Sequence, residues 1–289
     1  MNNEWLMKTG STLKDSRKLT HSSKIKVKPL TKQAIAIRLT LTALFVITVY
    51  GFTVFDYGDT NFMSGLKETF ANFKTMFFEA SFSRLTITEA IYQVLITLGL
   101  AFLTTVFGAV IALFVGLLAA QNLSNKVVSN TIKAFVAFIR AVPTVLWVLI
   151  FSVAAGLGSV AAVIGMTFHS IGYLIKAYSE SFEELDEGVI EALKGCGANW
   201  WQIVFQTVIP SSMTYLISWT FMRFEINFSV AVAMGAAAGA GGIGFDLFMA
   251  SGFYFDLREI GMITYFILVL AIIFEFVSIR MKVNLRETH

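Results

Sequence analysis

Residues 180–210 read E-S-F-E-E-L-D-E-G-V-I-E-A-L-K-G-C-G-A-N-W-W-Q-I-V-F-Q-T-V-I-P, an acidic, polar stretch set between long apolar runs. Leu185, Val189, Ala192, Leu193 and Cys196 recur at helical spacing and predict one short amphipathic helix. Gly195 and Gly197 end it, because glycine readily takes the left-handed conformation found just past a helix C-terminus. Asn199 then caps a second helix, with Gln202 three residues on completing an approximate capping box. The stretch is helix, tight turn, helix: a small rigid knob. One reading lays it on the lipid surface as an amphipathic connector. Its charge argues otherwise, since Glu180, Glu183, Glu184, Asp186, Glu187 and Glu191 face Lys194 alone, and an anionic leaflet repels that pattern. Docking onto a protein suits it better.

The chain on either side is membrane. Of its 289 residues 56% are hydrophobic and only 14% charged, with a mean hydropathy of +0.71, whereas soluble domains carry about 25% charged residues. Crossing about 30 Å of hydrocarbon takes roughly 20 apolar residues in a helix. Six stretches meet that length, at about 34–52, 90–120, 134–155, 160–177, 210–233 and 260–279. The expected fold is an all-α membrane protein with six transmembrane helices and the 180–206 loop between spans four and five. Arg38 sits near the basic end of the first span, where it snorkels. Pro143 is placed to kink the third, and Gly156-Leu157-Gly158 turns that span into the fourth. Residues 53–88, with Asp56, Asp59 and several phenylalanines, form the longest external loop and need no domain of their own.

Orientation follows from the cations. Residues 1–33 hold eight basic residues against Glu4 and Asp15. This tail is too long and polar for the n-region of a cleaved signal peptide. It reads as a cytoplasmic tail rather than a nucleic-acid-binding arm, and residues 34–289 form one transmembrane domain. With the N-terminus inside, fifteen Lys and Arg fall on the cytoplasmic side against Lys67, Lys74, Arg84 and Arg258 outside. That bias places both termini in the cytoplasm of a cell with a multi-pass inner (plasma) membrane protein. Cys196 is the only cysteine, so no intrachain disulfide forms; with three histidines besides, no metal site is expected.

Ionisable groups inside spans are costly and mark candidate function. Arg223 lies 13 positions beyond Pro210, about 20 Å along the helix. Asn227, four residues on, shares its face; Glu225 points nearly the other way. Arg223 and Asn227 either offer donors to a passing oxyanion or clamp a neighbouring helix, and the clamp suits Glu225. Arg140 sits near the cytoplasmic gate. His169, alone on an apolar helix, reads as packing. Gly239 to Gly244 matches the dinucleotide pattern G-x-G-x-x-G, but it lies between two spans rather than in a soluble βαβ unit. It is expected to be close-packed backbone, with Gly235 and Gly239 at small-xxx-small spacing, forming a constriction at the external end.

Glu191-Ala192-Leu193, then Gly197, then Ile209-Pro210 resembles the E-A-A, G, I-x-L-P signature of binding-protein-dependent ABC import permeases; Leu193 replaces the second Ala, and Thr207 and Ile209 stand at the Ile and Leu positions. The resemblance implies the type I permease fold and an ATPase-docking loop carrying Glu191, Ala192, Gly197 and Pro210. A narrower likeness covers about residues 140–280. Arg140-Ala141-Val142-Pro143, Arg223-Phe224-Glu225-Ile226-Asn227 and Gly239-Ala240-Gly241-Gly242-Ile243-Gly244 are similar to R-S-x-P-E, R-F-E-x-N-x-R and G-A-G-G-I-G of the phosphonate-type permeases. Thr144 stands where Glu is usual, and Ser229 where a second Arg is usual. The resemblance implies a substrate pathway through Arg223, Asn227 and Ser229. It makes Arg140, Pro143, Glu225, Gly239, Gly241, Gly242 and Gly244 structural or gating residues. It also implies two ATPase subunits holding ATP and Mg, a second permease subunit (identical or related), an extracytoplasmic binding protein and surrounding lipid. Phosphonate, phosphate or phosphite is the implied substrate. With no G-x-x-x-x-G-K-[ST], this subunit is expected to carry no catalysis and no cofactor of its own. Rival readings are an ion-coupled secondary transporter working through Glu225, with Glu275 near the cytoplasmic end of span six; an ABC permease for another small solute; and a membrane-embedded enzyme. The last lacks a nucleophile–base pattern among Arg140, His169, Arg223 and Glu225.

Overall fold

A computed structural model describes residues 31–54 and 61–287, the last seven as backbone. The basic tail through residue 30, and Asp56 and Asp59, lie outside the described residues. Backbone packing divides the chain at Phe62. Before that point stands α1 (Lys32–Val54). At 23 residues it is about 35 Å long, and it is apolar around its whole circumference, as a lipid-facing helix must be.

The second unit begins with α2 (Phe62–Phe78), where the sequence predicted only loop. Phe62, Leu66, Phe70, Phe73 and Phe77 recur every three or four residues, a pattern that a search for 20-residue spans passes over. The end of α2 is fastened to α11 (Leu257–Glu287): Tyr265 donates its hydroxyl hydrogen to the Phe77 carbonyl, and the two rings meet edge-on at 6.1 Å. In the first turn of α11 Glu259, 2% exposed, accepts the Arg84 and Leu85 N–H groups at 3.1 and 2.9 Å. Asp256 just outside α11 accepts from the Ser83 hydroxyl at 2.6 Å. That bond, and those from the Glu259 and Arg258 N–H groups, hold its carboxyl below the usual range.

α3 (Ile87–Ala119) starts at a capping box in which Thr86 and Glu89 exchange bonds of 3.3 and 2.8 Å. The expected third span is not one kinked helix. It is α4 (Lys126–Ala141) and α5 (Thr144–Ala155), bent 90° apart. Val142, pushed out of helical geometry by the proline after it, has φ −89 and ψ 125, and Pro143 opens α5. Trp147 pins the corner by donating to the Ile139 carbonyl at 3.0 Å.

α6 (Ser159–Glu183) is the central post, running six residues past its expected end at 177. Lipid tails are as apolar as leucine, so helices here associate through close packing of small residues. Gly108 and Gly116 of α3 let Ser170 and Tyr178 approach, their missing β-carbons lying 3.0 and 3.2 Å from those side chains. On other faces Gly165 sits against the Val148 backbone and Gly172 against Ile139.

α7 (Glu187–Gly195) follows. Next, α8 (Trp200–Ile203) runs through a wide π turn at Val204–Val208 into α9 (Ile209–Ala238). The fifth span is thus continuous with the second helix of the 180–206 loop and does not start at Pro210. Proline has no N–H and crowds the carbonyl four residues back; the widened turn before it, where the Ile209 N–H bonds to Val204 five residues back, makes room. Finally α10 (Ile243–Phe248), extended by a π turn at Met249–Phe253, lies at 53° to the α8–α9 helix. Among the described residues α1, α3, α6 and α11 are each long and apolar enough to cross a membrane, and counting each bent pair as one span gives up to six. This is a multi-pass membrane protein, all-helical among its described residues.

Candidate functional site

The knob is built as its sequence predicts, with two refinements. Asp186, not singled out earlier as a cap, accepts the Gly188 N–H at 2.9 Å and starts α7. At the other end Gly197 alone is left-handed, at φ +85; Gly195 is ordinary helix. Gly197 N–H bonds back to Lys194 and Ala198 N–H to Leu193, each at 3.0 Å, the paired bonds of a Schellman turn. Asn199 and Gln202 form the expected capping box at 2.9 and 2.8 Å.

The base of the knob is fixed. Ile190 and Ile203 are each 3% exposed, packed with Leu174, Tyr178, Phe182 and Val208. Trp200 donates its indole N–H to the Leu123 carbonyl at 2.9 Å. Glu183 holds both the Gln121 N–H and the Lys133 ammonium at 2.7 Å, and Asn122 donates to the Phe182 carbonyl at 2.7 Å. What projects is Glu191, Ala192, Gly197 and Trp201, all exposed. Pro210, also exposed, lies beyond the π turn and not at the tip.

A second constellation lies inside the bundle. Arg223 is 2% exposed and Asn227 0%, one helical turn apart on α9. Arg223 Nε donates to Ser170 Oγ at 3.0 Å, and Nη2 lies 3.0 Å from His169 Nδ1. The Tyr173 ring sits beneath the guanidinium at 5.2 Å. Asn227 Nδ2 donates to Thr105 Oγ1 and Ser170 Oγ at 2.9 and 3.0 Å. Asn227 on α9 thereby joins α3, through Thr105, to α6, through Ser170, and Ser170 in turn accepts from both Arg223 and Asn227. No carboxylate comes within ion-pair distance of Arg223 among the described residues. His169, read from sequence as packing, is half-buried and bonded to Arg223. Ser229 is exposed, on a different face of α9 from Asn227. Glu225 is half-buried and has an interaction of its own.

Arg140 is exposed in the last turn of α4, and its stem lies over Gly172 of α6. Pro143 stands at the α4–α5 corner. In the glycine segment close packing falls on part of the expected set, Gly235, Gly242 and Gly244, and not on Gly239 or Gly241. Gly239 closes α9 at φ +60 with open space around its missing β-carbon, and so does Gly241 at φ +79. The close approaches are made by Gly235 to the Phe245 N–H, Gly244 to Val232, and Gly242 to Thr97. Thr97 accepts the Ile243 N–H at 3.0 Å, anchoring α10 to α3.

Residues 112–286 match the family described as binding-protein-dependent transport system inner membrane component. The chain is 32% identical over 178 residues to the phosphate-import permease protein PhnE of Mycolicibacterium smegmatis, covering 61% of this chain and 33% of that one. It is 32% identical over 152 residues to the phosphite transport system permease protein PtxC of Stutzerimonas stutzeri, covering 52% of this chain and 55% of that protein. The chain thus spans a third to about half of these relatives. In fold it is similar to an inward-facing structure of the MetNI methionine ABC transporter, with a TM-score of 0.63 at 23% identity over 71% of this chain and 99% of that one. The family match takes in α6, the knob, the Arg223 hub and the glycine segment together, and the chain belongs to the binding-protein-dependent transport system inner membrane components.

Proposed function

We propose that this chain is the membrane-spanning permease subunit of an ATP-driven importer, and that its cargo is a phosphorus oxyanion: phosphonate, phosphite or phosphate. The observation that carries the reading is the knob. Its tip is exposed while its base is tied by Trp200, Glu183 and Asn122 to the ends of α3 and α6, and its second helix continues without interruption into α9. Force applied at the tip therefore reaches the helix that holds Arg223 and Asn227. In this reading ATPase subunits, carrying ATP and Mg, dock on Glu191, Ala192 and Gly197. A second permease subunit completes the pathway, a binding protein delivers the cargo from outside, and both termini face the cytoplasm. This subunit itself catalyses nothing.

The cargo class is supported by relatives whose names are phosphate-import and phosphite permeases and by a positive interior. Arg223 is 2% exposed, so an anion in transit meets its field rather than its N–H groups. Ser229 and Arg140 are the exposed candidates for contact. Methionine import is the competing reading, favoured by relatives named methionine permeases. Uptake into vesicles holding the assembled transporter separates them. ATP-dependent, uncoupler-insensitive uptake of labelled phosphite, phosphate or methylphosphonate is expected, with methionine taken up no faster than in empty vesicles. Uptake that survives ATP depletion and collapses with uncoupler would overturn the ATP-driven reading; methionine uptake would overturn the cargo.

A further inference from the structure

We propose that the groove between α4 and α6 lined by Lys133, Arg140 and Lys176 is a binding site for a phosphate-type oxyanion. The groove has a volume of about 210 Å³ and also contains Ser179, Glu180 and Glu183. Its two carboxylates are already committed. Glu183 is bonded to Lys133 and the Gln121 N–H at 2.7 Å each, and Glu180 lies 2.9 Å from Lys176 one turn away. Arg140 is left over. Among the described residues no carboxylate lies within 4.0 Å of it.

Three features make that leftover charge more than a solvated side chain. The stem is positioned: Gly172 of α6 has no side chain, and Arg140 Cγ lies 3.4 Å from where its β-carbon would be. The groove's own charge is positive: Lys133, Arg140 and Lys176 line it against only Glu180 and Glu183, each already paired with a lysine. The guanidinium is also the right shape, a planar fork that takes two oxygens of a tetrahedral oxyanion at once, where a lysine offers a point charge. A favourable end-of-helix position accounts for a cation in the last turn of α4. It does not account for a groove with two internally paired lysines and an unpaired arginine.

Two sources carry this chemistry: a free oxyanion in the aqueous pathway, or the headgroup of an anionic phospholipid. The first rests on the import reading; the second does not. The full chain in discs of neutral phosphatidylcholine is titrated with inorganic phosphate and with methylphosphonate, followed by phosphorus NMR. Saturable binding is expected, weakened about tenfold or more by Arg140→Gln, since a charge-assisted contact is worth more than one decade in affinity. Arg140→Lys, which keeps stem and charge, should fall between, and Lys67→Gln on α2 should bind as the parent does. In a second arm the discs contain phosphatidylglycerol, and retained lipid is counted by native mass spectrometry. Competition with phosphate, and loss of retained phosphatidylglycerol in Arg140→Gln, would assign the site to a headgroup; phosphate binding indifferent to that lipid would assign it to the free ion. Folded Arg140→Gln protein matching the parent in both phosphate affinity and lipid retention overturns the site. Absence of oxyanion uptake by the parent transporter, with Arg140-dependent binding intact, overturns the import reading and leaves the site standing.

Discussion

Removing a single oxygen from the centre of the bundle, by Ser170→Ala, should destabilise the protein more than replacing the whole of Asn227. Packing does not change in the serine variant, because the β-carbon that meets Gly108 is retained. What disappears is the acceptor for Arg223 Nε at 3.0 Å and for Asn227 Nδ2 at 3.0 Å. Stranding a charged donor costs about 1.5–3 kcal/mol, and an interhelical bond in a membrane adds about 0.6 kcal/mol. The sum is about 2–3.6 kcal/mol. In Asn227→Leu nothing is stranded: Thr105 still donates to the Ala101 carbonyl at 2.7 Å, and Ser170 still donates to Met166 at 2.7 Å while accepting from Arg223. Losing two ordinary interhelical bonds costs about 1 kcal/mol. The assay is reversible unfolding in mixed micelles, run as a double-mutant cycle with Arg223→Met. Once the charge is gone, Ser170→Ala should fall to about 0.6 kcal/mol, leaving a coupling of about 1.5 kcal/mol or more. An Asn227→Leu variant less stable than Ser170→Ala, or a coupling within about 0.3 kcal/mol of zero, would refute the claim that Ser170 is the hub.

Gly197→Val forces a branched side chain into φ +85, which costs about 1–3 kcal/mol locally and misplaces the Schellman turn. Membrane insertion and yield should hold while ATP hydrolysis by the assembled transporter loses its link to uptake; matched rates of both in the variant would remove the docking role of the turn. Gly165→Ala puts a β-carbon 2.6 Å from the Val148 backbone and should lower stability by about 1–3 kcal/mol as α5 is pushed off α6. Gly99→Ala, with open space around its β-carbon, should instead raise stability by up to about 1 kcal/mol through helix propensity. Melting temperatures of the two variants check both signs at once.

Most of the architecture was legible because a membrane imposes a length and a composition on each crossing. The six apolar stretches reappear within four long helices and two bent pairs. The knob was legible for a different reason: its caps are local chemistry, and Gly197, Asn199 and Gln202 sit within a few residues of the groups they satisfy. The bend at Pro143 was read too gently. A proline inside a long apolar run signals a kink, but the 90° angle depends on Trp147 reaching the Ile139 carbonyl and on Gly165 admitting Val148, and both contacts are tertiary. α2 escapes a search for spans because its 17 residues are too short for a crossing, so its phenylalanines fall into the external loop.

The polar hub shows where single-sequence reasoning stops and what lies past that point. Arg223 identified itself, since a guanidinium deep in an apolar span must have a reason. Its partners did not, because Ser170, Thr105 and His169 look like any small or aromatic residues until the rotation of α6 and α3 about their axes is known. That rotation is set by Gly108 and Gly116, whose spacing is visible but whose facing partner is not. The outcome bears on function. An arginine neutralised by a carboxylate would leave the bundle interior electrically quiet; among the described residues Arg223 is held instead by two neutral side chains and the face of Tyr173, which leave its charge standing. A permease for a zwitterion gains nothing from an uncompensated buried cation, whereas one for an oxyanion gains attraction along the pathway without binding so tight that release fails. The neutral partners of Arg223, more than the arginine itself, are what support the proposed anionic cargo.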